Sequence, residues 1–505
     1  MRISIKKTKS LKINAIFNGF YQILTLLAPL LTTPYISRVL GPTVIGDYSY
    51  YNSILGYFTL IATFGFNDYG TKVIAQYREN PKEKSNAFWG ISFSKGILSL
   101  VCLIAYFITF YVLFSDNQTA IYVFLGMSLY IISVMFDPTF FFQGNENFVS
   151  ISIRNAIIRI LTIALTFVFV KTENDIVNYT LVLSVGNLLA TIIMYFSFHK
   201  GDVQKPDFKN LHLFTHFRCA FAFFIPSLAV TLFTSLNQTM LGAMSSSLEN
   251  GYYSQASKII TLLSTFAGSI SIIMLSRMSF LFMTGDENAI KEKTQKTFES
   301  FWAVALPLTF GIVAIAPTLV PLFFGPGYDG VVPNMYILSP IIILSPINTL
   351  IGSVYYRPQN KIWIQTGIIV FASLVNVAAS YFLISFFESE GASFGRLVAE
   401  LVQLPLLLFF ARKGLSGTTV FHSFIKPFDN SLIMFLVVIL STSVLQSISS
   451  LPSIVLLCLE ILIGVLVYVV MEILTKETFG YGMIQLVLGK IKVFSKKFLS
   501  KVRKH

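Results

Sequence analysis

The chain has 505 residues, of which 54% are hydrophobic and only 12% charged, with a mean hydropathy of +0.71 and a formal net charge of +13. Soluble domains carry about a quarter of their residues as charges, so this composition excludes a soluble globular fold and points to a bilayer as solvent. The positive charge does not call for nucleic acid, because it is spread over short loops and two tails, where positive-inside topology and attraction to anionic lipid account for it.

In chain order, apolar runs lie at about 14–35, 47–66, 87–114, 120–142, 152–170, 177–198, 219–243, 252–275, 299–324, 333–354, 363–387, 393–411, 430–448 and 453–474. Each is long enough to cross about 30 Å of hydrocarbon as a helix. The connections alternate in charge. One side holds Arg2 to Lys12 of the N-terminal tail, then Lys72, Arg78, Lys82 and Lys84, then Arg154, Lys200 to Arg218, Arg277 to Lys296, Arg357 with Lys361, and Arg412 to Lys426. The other side holds only Lys171 among several carboxylates such as Asp116, Glu173 and Asp329. Both ends are therefore expected in the cytoplasm. The basic start followed by an apolar run resembles a signal peptide, but no small-residue cleavage site ends it, and it reads as a retained first span. Cys102, Cys219 and Cys458 fall within spans, where they read as small apolar fillers and not as a disulfide framework.

The outer connections are too short to fold a domain, so function must reside in the bundle. The inner connections 67–84 and 200–218 could each hold a short interfacial helix, and from Met483 onward Ile484, Val487, Leu488, Ile491 and Phe494 recur at helical spacing among lysines, as in a helix lying on the inner leaflet. Gly46-Asp-Tyr-Ser49-Tyr recurs as Gly251-Tyr-Tyr-Ser254-Gln, each after a Leu-Gly pair (Leu40-Gly41, Leu241-Gly242). The match falls six spans after the first copy and suggests two six-span halves, a known transporter plan. The expected organisation is a lobe over 1–200, a second lobe over 201–412, two additional spans over 413–475, and a basic amphipathic tail over 476–505. Prolines inside spans, among them Pro29, Pro34, Pro226 and Pro307, read either as bends suited to alternating access or as ordinary packing kinks.

Five cations remain within the spans: Arg38, Lys95, Arg159, Lys258 and Arg396. A charge in hydrocarbon costs about 2.5–3.5 kcal/mol on the lenient insertion scale, so such groups are expected at a wet cavity or on a partner. Arg38 and Arg396 lie near the outer surface and could snorkel; Lys95, Arg159 and Lys258 lie deeper. The acids are Asp137, Glu400, Glu460 and Glu472. Asp137 and Glu400 are candidates for ion coupling, although Arg396 and Glu400, spaced i, i+4, could equally pair. A surplus of cations implies an anionic cargo, with phosphate or pyrophosphate the anion that Lys and Arg hold best. The chain lacks a Gly-x-x-x-x-Gly-Lys-Ser/Thr phosphate loop, a His-Glu-x-x-His motif and a Gly-x-Ser-x-Gly motif. His212 and His216 have metal-pair spacing without a third ligand. The expectation is a protein that is not an enzyme, has no catalytic residues, metal or cofactor, and is driven by an H+ or Na+ gradient or by consumption of cargo on the far side.

The stretch Pro29-Leu-Leu-Thr-Thr-Pro34-Tyr35-Ile-Ser-Arg38-Val-Leu-Gly41-Pro42, together with Asp137-Pro138 leading to Phe141-Phe-Gln-Gly144 and Gly391-Ala392 leading to Glu400, resembles the polysaccharide flippases of the Wzx type. The resemblance runs over essentially the whole chain. It implies the all-α fold of the multidrug/oligosaccharidyl-lipid/polysaccharide exporter superfamily, a polytopic membrane protein of about fourteen transmembrane helices, with two six-helix lobes around a central cavity plus two C-terminal helices. It also implies a cargo of undecaprenyl-pyrophosphate-linked oligosaccharide for capsule, exopolysaccharide or O-antigen, carried across a bacterial cytoplasmic membrane, with a polymerase and chain-length regulator as conceivable partners. Of the five cations only Arg38 sits in a motif matching the family. The nearest rival readings are a peptidoglycan-precursor flippase and a multidrug or cation antiporter of the same fold. A membrane glycosyltransferase or polymerase would need a sizeable outer loop, and a structural scaffold would not need cations in its bundle.

Overall fold

The computed structural model describes residues 2–208, 211–412, 414–415, 417–448 and 451–475. The amphipathic helix expected from Met483 onward lies outside the described residues. All regular structure among the described residues is helical, as expected. The chain divides into two compact units, Met1–Ser254 with Phe324–Gly327 and Gln255–Phe323 with Tyr328–His505.

The first unit holds α1 (Arg2–Thr63), α2 (Phe66–Gln76), α3 (Pro81–Phe114), α4 (Gln118–Phe136), α5 (Thr139–Gly144), α6 (Phe148–Phe169), α7 (Ile176–Tyr195), α8 (Leu213–Met244) and the start of α9 (Ser247–Gly268). Asparagines set three of these starts. Asn80 accepts from the Glu83 N–H ahead of Pro81, Asn117 from the Ala120 N–H, and Asn147 from the Ser150 N–H, each satisfying one of the orphan amides of a first turn. Gly65, at φ 72°, separates α1 from α2. The amphipathic α2 buries Phe66, Tyr69, Val73 and Ile74, so the inner connection 67–84 does hold a short helix. One face of α3 buries Ser94, Lys95, Cys102 and Tyr106, while Leu100, Val101, Ile104 and Ile108 are exposed. A water-facing helix would not display such an apolar stripe; a lipid-facing one requires it.

The repeat seen in the text is a physical contact. Ser49 Oγ donates to Ser254 Oγ at 2.7 Å, and Asn250 Nδ2 donates to the Gly46 carbonyl at 3.1 Å. A Cβ on Gly46 would fall 1.6 Å from the Ser247 carbonyl oxygen, and one on Gly251 would fall 2.1 Å from that of Pro42. The two copies of the motif therefore cross at their glycines, and only glycine permits the backbones to approach so closely.

The second unit holds the remainder of α9, then α10 (Ile270–Thr284), α11 (Glu287–Phe324), α12 (Val331–Leu338), α13 (Ile341–Ile351), a π-helical turn (Gly352–Tyr356), α14 (Ile362–Ala411), α15 (Gly417–Phe421), α16 (Ile425–Ile448) and α17 (Ser453–Thr475). Its core packs Trp302, Phe298, Phe301, Tyr355 and Tyr356 with Leu407 and Val420. The Trp302 indole N–H donates to the Val420 carbonyl at 2.8 Å.

Among the described residues, ten helices are long and apolar enough to cross a membrane, and α14 by itself contains two of the expected spans. It breaks at Glu388 (φ 47°, ψ −120°), and a Cβ on Gly395 would meet Ser380 Oγ at 2.1 Å while one on Gly391 would meet the Leu383 carbonyl at 2.2 Å. Its two arms thus fold back on each other. A positive φ breaks α1 similarly at Gly41. The apolar run 252–275 behaves differently from expectation, since it is divided at Ser269 between α9 and the 15-residue α10.

Because the glycine crossing leaves no room for a side chain, Gly251→Leu should lower thermal stability in detergent by about 1–3 kcal/mol through overpacking. Gly367→Ala, at a glycine with nothing within 4 Å of the new Cβ, should leave it undiminished in the same melting experiment.

Candidate functional site

The cations expected in the spans separate by what they touch. Lys95 is 1% exposed. Its Nζ donates to the Asp137 backbone carbonyl at 2.5 Å, lies 3.5 Å from Asn67 Oδ1, and sits 5.5 Å from the Phe140 ring centroid. Asp137 is the C-cap of α4, so the ammonium satisfies a helix-end carbonyl at the negative pole of the macrodipole. The Asp137 carboxylate turns the other way, with Oδ1 accepting from the Thr139 amide at 3.1 Å and from the Thr139 hydroxyl at 2.5 Å. It caps α5 and also borders a cavity of about 280 Å³ lined by Trp89, Phe93, Phe136 and Tyr195.

Arg154, placed by its sequence in an inner loop, is instead buried at 9% exposure on α6, with Nε donating to Asn155 Oδ1 at 2.9 Å. Like Lys95, it is close enough to Asp137 for Coulombic attraction. One carboxylate thus lies between two cations. The Asn147 cap was the signal that would have placed Arg154 two turns inside a helix.

Arg159 lies one turn beyond Arg154 and the contrast is clear. It is half-buried, its Nε is buried without a hydrogen-bond partner, and it interacts electrostatically with Tyr48 and Tyr179, whose rings are tilted by 58° with centroids 5.0 Å apart. Arg38, exposed at the end of the first arm of α1, lays its aliphatic stem against Gly325, where a Cβ would come within 2.9 Å of Arg38 Cγ.

In the second unit, Arg396 is 7% exposed and donates from Nη1 to Ser257 Oγ at 2.6 Å. Glu400, 3% exposed, accepts from Asn348 Nδ2 at 2.8 Å. The two share a helix face but form no ion pair, because hydroxyl and amide partners on α9 and α13 take up their hydrogen bonds instead. Lys258, one residue after Ser257, is exposed and has no hydrogen bond or ion pair among the described residues. The structure thus brings Lys95 together with Asp137 and Arg396 beside Glu400, leaves the Nε of Arg159 and of Arg396 buried without a hydrogen-bond partner, and leaves the Lys258 ammonium without a hydrogen bond or ion pair among the described residues.

An apolar groove of about 440 Å³ opens in the same unit between α9, α11, α16 and α17, lined by Phe266, Pro307, Gly311, Met434, Gly464 and Val465 among others. No motif announces it, since each wall reads as an ordinary apolar span. Glu460 borders it, and its Oε1 accepts from the Thr318 and Thr442 hydroxyls, both at 2.9 Å. This places Glu460 in a polar contact among three spans.

Residues 11–276, more than half of the chain, match the family described as polysaccharide biosynthesis protein. The chain is 27% identical over 407 residues to an Escherichia coli (strain K12) protein named "Putative O-antigen transporter", covering 80% of this chain and 97% of that protein. A Shigella dysenteriae protein of the same name is 22% identical over 386 residues, covering 76% and 95%. Among solved structures, the fold resembles the lipid II flippase MurJ in an inward closed conformation, with a TM-score of 0.74 at 18% identity over 92% of this chain and 99% of that one. It also resembles an inward-facing multidrug resistance MATE family transporter of the MOP superfamily, with a TM-score of 0.60 at 14% identity over 77% and 94%.

The contacts predict different outcomes for the two lysines within spans. Lys95→Met should lower thermal stability by about 1–3 kcal/mol, because it strands the Asp137 carbonyl. Lys258→Gln should leave the melting temperature unchanged, as nothing in the protein depends on its ammonium.

Proposed function

The chain belongs to the family of polysaccharide biosynthesis proteins, and from that membership we propose that it is a flippase moving an undecaprenyl-pyrophosphate-linked oligosaccharide from the inner to the outer leaflet of a bacterial cytoplasmic membrane by alternating access. The product would feed capsule, exopolysaccharide or O-antigen assembly, with a polymerase and a chain-length regulator as downstream partners. No covalent bond is broken. The protein lowers the barrier that hydrocarbon poses to a charged, hydrated head group.

The observation that carries this reading is Lys258, a cation within an apolar span that has no hydrogen bond or ion pair among the described residues. An ammonium so placed is costly unless water or an anion meets it, and a diphosphate supplies that anion. Arg159 offers the same chemistry from the first unit. The groove bordered by Gly311 and Gly464 suits an apolar polyprenyl chain, since its walls are almost wholly hydrocarbon. For coupling to H+ or Na+, Glu400 is the better placed acid. Asp137 already lies between Lys95 and Arg154, whose charges oppose a further cation there. We take 1–200 and 201–412 as the transporting lobes, 413–475 as two added spans, and both termini as cytoplasmic.

Lys258→Ala and Arg159→Ala should each reduce surface polymer at least tenfold in a complementation assay while the amount of protein in the membrane stays constant. Full activity of both single variants and of the pair would remove the claim that these cations contact cargo. Gly311→Leu, whose new Cβ has only the Met434 methyl nearby at 3.9 Å, should fill the groove without disturbing the fold and slow export in the same assay; unchanged export would show that the groove does not carry the chain.

A further inference from the structure

A second polar cavity, of about 580 Å³, lies at the end of the second unit where α10 gives way to α11, the π-helical turn leads into α14, and α14 exits. Each of these connections contributes one cation to its lining: Lys291, Lys361 and Arg412. We propose that this cavity binds a phosphate group carried by an anionic lipid of the inner leaflet. The inference uses the orientation proposed above but not the identity of the cargo, so the two can fail separately.

Two features distinguish these cations from the general surplus on this side. First, none of them is in an ion pair, whereas Lys296, on the same helix as Lys291, is neutralised by Glu292 at 2.6 Å. One carboxylate, Glu287, shares the lining, and the balance remains positive. Second, two of the three are held in place. Lys361 Nζ donates to Gln359 Oε1 at 2.7 Å and lies 5.1 Å from the Tyr355 ring centroid, while the Arg412 guanidinium lies 4.5 Å from the Phe409 ring centroid. Such cation–aromatic contacts orient a charge without neutralising it.

The floor is equally fixed. A Cβ on Gly414 would come within 2.7 Å of the Tyr355 ring, so the exit of α14 packs directly onto a buried core aromatic. A planar guanidinium with two flexible ammonium groups matches a phosphate, one forked donor and two point charges around three oxygens. Trp363, 57% exposed two residues after Lys361, marks the depth at which indole rings favour the head-group region. That depth favours a lipid-borne phosphate over a soluble one, and basic pockets between spans on this side are a recurrent way to hold lipid head groups.

The test titrates the full-length protein in nanodiscs with phosphatidylglycerol, undecaprenyl diphosphate and inorganic pyrophosphate. It compares wild type with the triple variant Lys291→Gln, Lys361→Gln, Arg412→Gln, and with a charge-matched control, Lys72→Gln, Lys82→Gln, Lys84→Gln. The triple variant should bind at least one lipid probe tenfold or more weakly, at about fivefold per cation removed, with the control unchanged. Loss confined to phosphatidylglycerol would identify a bilayer lipid as the ligand. Loss confined to undecaprenyl diphosphate would identify a loading site for the cargo, and both results support the proposal. Wild-type affinity for both lipids, or a loss seen only with inorganic pyrophosphate, overturns it. Should the triple variant fold poorly, the exposed single change Lys291→Gln gives the same reading.

Discussion

A lysine or arginine in hydrocarbon costs about 2.5–3.5 kcal/mol even on a lenient scale, and this penalty sorts the cations of the chain into distinct fates. Most lie in the connections between spans and in the two tails, outside the hydrocarbon. Lys95, Arg154 and Arg396 lie within the bundle with their charges met, on the Asp137 carbonyl, Asn155 and Ser257 respectively. Lys258 has no such partner, and Arg159 keeps a buried nitrogen without one. These two side chains are the ones to which the proposed function assigns the anionic cargo.

The same economy of polar groups governs the helix ends. Asparagine caps start α3, α4 and α6, and the Lys95 ammonium closes the end of α4, so that orphan backbone groups of the helix ends are satisfied by side chains. Where backbones must approach, as at Gly46 and Gly251, the side chain is dispensed with altogether. The first unit thus combines satisfied helix ends with close crossings, while Arg159 keeps a buried Nε without a hydrogen-bond partner.

Much of this architecture was legible in the sequence. Loop charge and apolar runs anticipated an all-helical polytopic protein, and the opening motif anticipated the family; the Gly-x-x-Ser repeat was read only as a sign of two halves, and its copies meet at Ser49 and Ser254. The separate runs 363–387 and 393–411 correspond to the two arms of α14 on either side of Glu388. What remained hidden depends on tertiary partners. Nothing local to Lys95 reveals that its acceptor is a carbonyl forty-two residues away, and the i, i+4 spacing of Arg396 and Glu400 suggests a pair that Ser257 and Asn348 pre-empt. Arg154 looked like a loop residue because its basic side chain follows a polar turn, although the Asn147 cap makes that position helical. Hydrophobicity alone also could not divide the run 252–275 at Ser269, since both resulting helices are apolar.

The account's central claim is tested most directly by the leaflet in which lipid-linked oligosaccharide resides when this protein is removed. In a deletion strain, labelling with a membrane-impermeant probe should find complete undecaprenyl-pyrophosphate oligosaccharide accumulated on the inner face and surface polymer lost. Normal surface polymer, accompanied by altered sensitivity to cationic drugs, would contradict the flippase reading and point to an antiporter of the same fold.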